Sequence, residues 1–190
     1  MRSWSKIALF PLLKQGEAYL KKLIETYLNV CAEDELQSIL YIKSRIKTPG
    51  SMMAKLRKRG LREDSHTALQ NTHDAIGIRV ICSFVENVYC IEQWLQKRDD
   101  IQITEEKDYI AYPKPNGYRS LHLIIQFLSK DLKCFTAEIQ LRTIAIDFWA
   151  TLEHQIKYKR NVHHEEIIRN ELKDVQMKLL PWMSDTWEKI

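Results

Sequence analysis

The sequence predicts an α+β domain: a mixed β-sheet of about five strands surrounded by helices, with extra helices at both ends. Two observations carry that reading. Apolar and polar residues alternate over 76–84, 101–112, 118–127 and 133–142, the period of a half-buried strand. Between and around these segments, apolar residues fall three and four apart, the period of a helix packed on one side. The chain of 190 residues is long enough to bury a real core. Its 45% hydrophobic and 28% charged content excludes disorder as the dominant state.

Over 12–31, Leu13, Leu20, Ile24, Tyr27 and Cys31 share one helical face, and Pro11 suits a first turn. Residues 34–44 read as a second helix with Leu36, Ile39 and Leu40 on its apolar side. Thr48-Pro49-Gly50-Ser51 is a break; Ser51 is the expected N-cap of a short helix to Arg59, ended by Gly60. In 76–84, Ile76, Ile78, Val80, Cys82 and Phe84 oppose Gly77, Arg79, Ile81 and Ser83. Val88, Ile91 and Leu95 make 85–98 helical, and 101–112 is strand-like. Residues 113–117 form a turn with a strong Asn-Gly signal. In 118–127, Tyr118, Ser120 and His122 oppose Leu121, Leu123, Ile125 and Phe127. In 133–142, Phe135, Ala137, Ile139 and Leu141 oppose Thr136, Glu138, Gln140 and Arg142. A helix over 143–159 has Ile144, Phe148, Leu152 and Ile156 four apart, and a weaker amphipathic helix over 164–180 ends at Pro181.

Cys31, Cys82, Cys90 and Cys134 include no C-x-x-C pair. They read as reduced core or near-core thiols of a cytosolic protein, and no zinc site is expected. No stretch approaches the roughly 18 apolar residues of a membrane helix. Pro11, Lys14 and Glu17 interrupt the first apolar run, so no secretory signal is expected and the predicted location is cytoplasmic.

The net charge of +4 conceals an asymmetry. Lys43, Arg45, Lys47, Lys55, Arg57, Lys58, Arg59 and Arg62 occur between 43 and 62 with no acidic residue among them. Such a run attracts nucleic acid or nucleotide phosphates, or forms a solvated helix face. Only five glycines are present, and neither a P-loop nor a dinucleotide fingerprint can be built from them. H-E-x-x-H and G-x-S-x-G are also missing. Phosphate, if bound, falls to side-chain cations.

Glu138 lies mid-strand on a polar face, and Asp74 just precedes the strand that carries Arg79. Two carboxylates on neighbouring strands can hold Mg²⁺, which favours oxygen ligands and substrate phosphates. A solvated sheet residue and a turn cap would give the same pattern. His73-Asp74 also matches the metal-binding dipeptide of phosphohydrolases, but here it leads directly into a strand instead of a ligand-bearing helix.

Four ordered segments carry a family resemblance. They are Asp74-Ala75-Ile76-Gly77-Ile78-Arg79, Lys107-Asp108-Tyr109-Ile110, residues 113–122 (PKPNGYRSLH) and Glu138-Ile139-Gln140-Leu141-Arg142-Thr143. They resemble the synthetase domain of the RelA/SpoT homologue family. The flanking Ser44-Arg45-Ile46-Lys47-Thr48-Pro49 and residues 147–154 (DFWATLEH) resemble its small, single-domain alarmone synthetases. The resemblance spans about 40–160. It implies a nucleotidyltransferase-like fold and one synthetase domain over 1–190, without the hydrolase and regulatory domains of the long members.

The implied reaction moves the β,γ-diphosphate of ATP to the 3′-hydroxyl of GDP or GTP, giving AMP and ppGpp or pppGpp, with Mg²⁺ or Mn²⁺ as cofactor. By resemblance, Arg45 and Arg79 sandwich adenine, and Lys47, Lys55, Arg57 and Lys58 meet the ATP phosphates. Asp74 is a metal ligand; Glu138 is a second ligand or the general base. Tyr118 is the guanine platform. Lys107, Lys114, Asn116 and His122 lie near the acceptor, with Gln140, Arg142 and His154 as further contacts. The resemblance also implies a homotetramer built through helices 12–31 and 164–180, with single-stranded RNA or an alarmone as a candidate regulator.

Glu105-Glu106-Lys107-Asp108 mixes the two charge patterns, R-x-K-D and E-x-D-D, that track acceptor preference in long members, so GDP and GTP both stay open. Two rivals stand beside this reading. One is a toxic relative that pyrophosphorylates adenosine nucleotides or tRNA 3′-ends. The other is a silent nucleotide- or RNA-binding regulator, against which the intact Asp74, Glu138, Arg45, Arg79 and Tyr118 set argues.

Overall fold

The computed structural model describes residues 6–30, 38–64, 67–68, 71–133, 135–158, 167–168, 170–175 and 177–178. In chain order the elements are α1 (Lys6–Val30), β1 (Ile39–Ile46), α2 (Pro49–Lys58), β2 (Ile76–Cys82), α3 (Val85–Gln96), β3 (Ile101–Asp108), β4 (Leu121–Phe127), β5 (Thr136–Thr143) and α4 (Ile144–Tyr158). The five strands form one mixed sheet in the order β1-β2-β5-β4-β3. Only β2 and β5 run parallel; the other neighbouring pairs are antiparallel.

Parity decides what each face carries. Ile76, Ile78 and Val80 of β2 stand opposite Ala137, Ile139 and Leu141 of β5, which in turn face Ile125, Leu123 and Leu121 of β4. All nine are buried. α1 covers this face with Leu13, Leu20, Leu23, Ile24 and Tyr27, and α3 with Val88, Ile91 and Leu95. Tyr27 and Trp94 join the two helices edge to face at 5.5 Å. Gly16 lets α1 approach the sheet: a Cβ there would stand 2.7 Å from Ile76 Cδ1 and 3.4 Å from the Phe127 ring.

The opposite face is polar. One row runs Lys43, Arg79, Gln140, His122 and Lys107 across all five strands. The next runs Arg45, Gly77, Glu138, Ile124 and Glu105.

Several expectations are corrected. Residues 39–44 are strand, not helix; 34–37 lie outside the described residues. Tyr41, Lys43 and Arg45 alternate with Ile42, Ser44 and Ile46, and a register shift between Ile39 and Tyr41 masks the pattern at its start. Ser44 faces α1, where its hydroxyl donates to Glu17 at 2.7 Å. α1 begins before Pro11, which lies inside the helix. The N-cap of α2 is Thr48, with Pro49 at the first helical position; Ser51 instead donates its backbone N–H to the Thr48 hydroxyl at 3.3 Å.

β3 stops at Asp108, whose Oδ1 accepts from the Ile110 and Ala111 amides and turns the chain. β4 starts at Leu121 and β5 at Thr136, later than their alternation suggests. On α4, Ile144 and Phe148 are about half exposed, while Ile146, Asp147, Trp149 and Ala150 are buried.

Gly60 ends α2 with φ +67°, as expected. Neither Cys82 nor Cys90 is in a disulfide; Cys82 is buried, which pushes its thiol up to about 12, whereas Cys90 is exposed instead of near the core. Cys31 and Cys134 lie outside the described residues. The expected helix over 164–180 is described only in part and is helical at 170–175. Among the described residues no helix is long and apolar enough to cross a membrane.

Candidate active site

A cleft opens on the polar face, lined by Lys43, Ser44, Arg45, Gly77, Ile78, Arg79, Glu138 and Gln140. Its basic side comes from β1 and β2. The Arg45 side chain runs over Gly77, where a Cβ would meet Arg45 Cγ at 3.5 Å. Arg79, one register step away, donates from Nη1 to Asp147 Oδ1 at 3.0 Å. Lys43, largely exposed, has its Nζ 3.8 Å from Asp147 Oδ2.

At the start of β2, Asp74 accepts from Lys47 at 2.5 Å and from Lys55 at 2.8 Å. Burial works to raise its carboxyl, but the two ammonium groups outweigh burial and hold it at about 2. Lys47 follows β1 and Lys55 lies in the last turn of α2. Arg57 and Lys58 occupy the same turn but are exposed, and Glu63 holds Arg57 bidentately at 2.7 and 2.8 Å. The structure thus gathers Lys47 and Lys55 around Asp74 and leaves Arg57 and Lys58 on the surface.

Glu138 stands mid-β5. His122 Nδ1 lies 2.9 Å from its Oε1, and Gln140 donates to its Oε2 at 2.9 Å. Burial works to raise this carboxyl too, yet His122 and Gln140 bring it below its ordinary value, against an opposing push from Asp74. Asp74, just before β2, and Glu138, on the neighbouring β5, thus lie near enough for the first to act on the second. An all-oxygen pair suits a Mg²⁺ ion that also takes substrate phosphates.

Tyr118 lies beside the Pro113–Gly117 turn, which closes through a Gly117 to Lys114 hydrogen bond of 2.8 Å with Gly117 at φ +85°. Its hydroxyl is 2.8 Å from His122 Nε2 and accepts from Arg142 Nη2 at 2.7 Å. Lys114 Nζ sits 5.0 Å from its ring centre and 4.3 Å from that of Tyr109. Asn116 accepts from the Tyr118 amide at 3.2 Å and reaches Glu153 at 3.5 Å. Lys107 pairs with Glu105 at 2.8 Å. His154 is exposed on α4. Arg142 is buried and points its donors at protein groups: Tyr118, Gln140, Ser120 and Asp147.

Arg142, Tyr118, His122, Glu138 and Gln140 thus close a hydrogen-bonded ring. We assign the His122 proton to Nδ1, because Glu138 is ionised and accepts; Nε2 then accepts the Tyr118 hydroxyl proton.

Sequence reasoning missed Asp147 and Tyr41 as site residues and placed Lys43 only within the basic run. Tyr41 was hidden by the helical reading of 34–44. Asp147 was available as a carboxylate in the first turn of the helix after β5, a place where an acid complements the helix dipole.

A family model described as a region found in RelA / SpoT proteins matches residues 44–163. The chain belongs to the RelA/SpoT family. Within it, the chain is 44% identical over 139 residues to GTP pyrophosphokinase YwaC of Bacillus subtilis, a match covering 72% of this chain and 66% of YwaC. The crystal structure of small alarmone synthetase 2 from Bacillus subtilis superimposes with a TM-score of 0.82 at 34% identity, covering 98% of this chain and all of that one. Small alarmone synthetase 1 from the same organism, bound to its product pppGpp, gives 0.78 at 28% identity over 94% of both chains. The RelA/SpoT fold expected from the sequence is the one observed: a five-stranded mixed sheet with flanking helices.

Proposed function

We propose that this chain is a GTP/GDP pyrophosphokinase that transfers the β,γ-diphosphate of ATP to the 3′-hydroxyl of GDP or GTP. The observation that carries the reading is the place of Glu138. It lies on the polar row between Arg45 and Gly77 on one side and, through His122, Tyr118 on the other. Arg45 and Arg79, which line the same cleft, and Tyr118 thus flank one ionised carboxylate, and all three carry flat groups of the kind that stack on a base. The family membership and the similarity to a synthetase bound to pppGpp support the same assignment.

ATP binds with adenine between Arg45 and Arg79, and its phosphates extend toward Lys47 and Lys55. The acceptor guanine stacks on Tyr118, which brings its 3′-hydroxyl to Glu138. That oxygen bonds to the β-phosphorus as the α–β bridging bond breaks, and AMP leaves with the bridging oxygen. Glu138 takes the 3′-hydroxyl proton. Asp74 and Glu138 would hold the magnesium, whose chemistry is charge neutralisation on the transferred phosphates. When ATP binds, Lys47 and Lys55 exchange Asp74 for phosphate oxygens, so the two ammonium groups are already placed.

Assembly as a homotetramer belongs to the same proposal. Leu13, Leu20, Ile24 and Tyr27 of α1 are buried in this subunit's own core, so the apolar side chains left for contact between copies include Ile144, Phe148, Leu40 and Tyr41, exposed near the end of the sheet where β2 and β5 finish. Light scattering at micromolar concentration tests it; a stable monomer would reject it.

The deciding experiment is incubation with ATP, Mg²⁺ and each of GDP, GTP, GMP and tRNA, with products resolved by chromatography. AMP together with ppGpp or pppGpp is expected. AMP release with transfer only to tRNA or adenosine nucleotides would overturn the acceptor assignment.

A further inference from the structure

Asp147 is buried in the first turn of α4, directly after β5, with 3% of its surface exposed. Its Oδ1 accepts from Arg79 Nη1 at 3.0 Å and from Arg142 Nη1 at 3.1 Å. Its Oδ2 accepts from the Tyr41 hydroxyl at 3.0 Å. Two guanidiniums, from β2 and β5, therefore meet on a single carboxylate oxygen. Each then reaches away from it in a different direction. Arg79 lines the cleft beside Arg45. Arg142 donates from Nη2 to the Tyr118 hydroxyl and to Gln140.

We propose that Asp147 is a positioning residue that couples the two nucleotide subsites, orienting Arg79 toward ATP and, through Arg142, Tyr118 toward the acceptor. The proposal rests on the assignment of Arg79 to the donor and Tyr118 to the acceptor made above. Its physical basis is charge. Burial and the neighbouring Arg142 both work against the charge of Arg79, and Asp147 works for it. Arg142 is itself only 5% exposed in its side chain, so it cannot replace Asp147 with water. Without the carboxylate, the two guanidiniums repel each other and both move, and the two platforms lose their orientation together.

The test is Asp147→Asn in the full chain, compared with Arg79→Ala and Tyr118→Ala. Thermal melting establishes that each variant is folded. Separate equilibrium titrations then use GDP and an unreactive ATP analogue. Asp147→Asn should raise both dissociation constants by about tenfold or more, the scale of a hydrogen bond to a charged group. Arg79→Ala should affect the ATP analogue alone, and Tyr118→Ala GDP alone. In the double variant Arg79→Ala/Asp147→Asn, the ATP analogue should bind no more weakly than to Arg79→Ala.

A lowered melting temperature with both affinities intact makes Asp147 merely structural and overturns the proposal, as does weakening at one subsite only. If Arg79→Ala leaves the ATP analogue unaffected, the donor assignment fails and takes the coupling with it. Should Asp147→Asn not fold, Tyr41→Phe removes one hydrogen bond to Oδ2 without touching either arginine. It should raise both constants in the same direction by about two- to threefold; no change in either overturns the proposal.

Discussion

His122 and Glu138 sit on adjacent strands with Nδ1 and Oε1 2.9 Å apart, and the same imidazole reaches the Tyr118 hydroxyl through its other nitrogen. In the proposed mechanism the histidine thus links the acceptor platform, Tyr118, to the general base, Glu138. Glu138 is held ionised by this contact and by Gln140.

Glu138→Gln should remain folded, because the neighbouring Ala137 and Ile139 on β5 carry the packing. The new amide presents a donor toward Gln140, which can accept it only by turning its own amide over and giving up the hydrogen bond from Arg142. Synthesis should fall at least about 10²-fold, the scale of a lost general base. Melting curves and a product assay on one preparation check this. A folded variant with near-normal synthesis would remove Glu138 from the mechanism.

Tyr118 has two separable roles. Tyr118→Ala removes the ring and should weaken GDP binding by roughly 1–3 kcal/mol, as for base stacking on an aromatic. Tyr118→Phe keeps the ring and deletes the hydroxyl between Arg142 and His122. That hydroxyl is the group through which Arg142 holds the ring, so GDP affinity should fall by about tenfold, as in Asp147→Asn, and kcat should fall with it. Titration and steady-state kinetics read both; a GDP affinity left unchanged by Tyr118→Phe would show that Arg142 does not orient the platform.

Asp74 should make stability depend on acid. Its folded value, about 2, lies below the ordinary 3.8, so it stabilises the fold fully above the unfolded value. That stability is lost as pH falls from about 4 toward 2. The contribution is roughly 2 kcal/mol at neutral pH. Asp74→Asn should be less stable than the parent by about that much at pH 7, and the gap should close on acidification. Denaturant melts from about pH 2 to about pH 7 measure it. A gap that does not change with pH would mean that the lysines do not depress this carboxyl.

Gly16→Val should destabilise the domain by about 1–3 kcal/mol, since its side chain must enter space held by Ile76 and Phe127. Chemical denaturation reads the loss directly. An unchanged midpoint would show that α1 can lift from the sheet at no cost.

Much was legible in the sequence because alternation is a local property. β2, β4 and β5 bury every second residue, so their polar partners could be assigned to one face before any strand was paired. Glu138, Gln140 and Arg142 were placed together that way, and so were Tyr118 and His122. The family motifs then supplied roles that residue spacing alone left open.

Tertiary structure decided the rest. β1 is a strand because Ile39–Ile46 pairs with β2, and the register shift at its start erases the local pattern that would have announced it. Strand order places β5 beside β2 although more than fifty residues separate them in sequence; no local signal encodes that pairing. The burial of α4 was decided the same way. Helical spacing favours Ile144 and Phe148 as the inward face, yet they are exposed and Asp147 is buried. The inward face is made instead by Ile146, Trp149 and Ala150, and it carries Asp147 to the point where Arg79 and Arg142 both donate to its carboxylate, the partner that a guanidinium as buried as that of Arg142 needs.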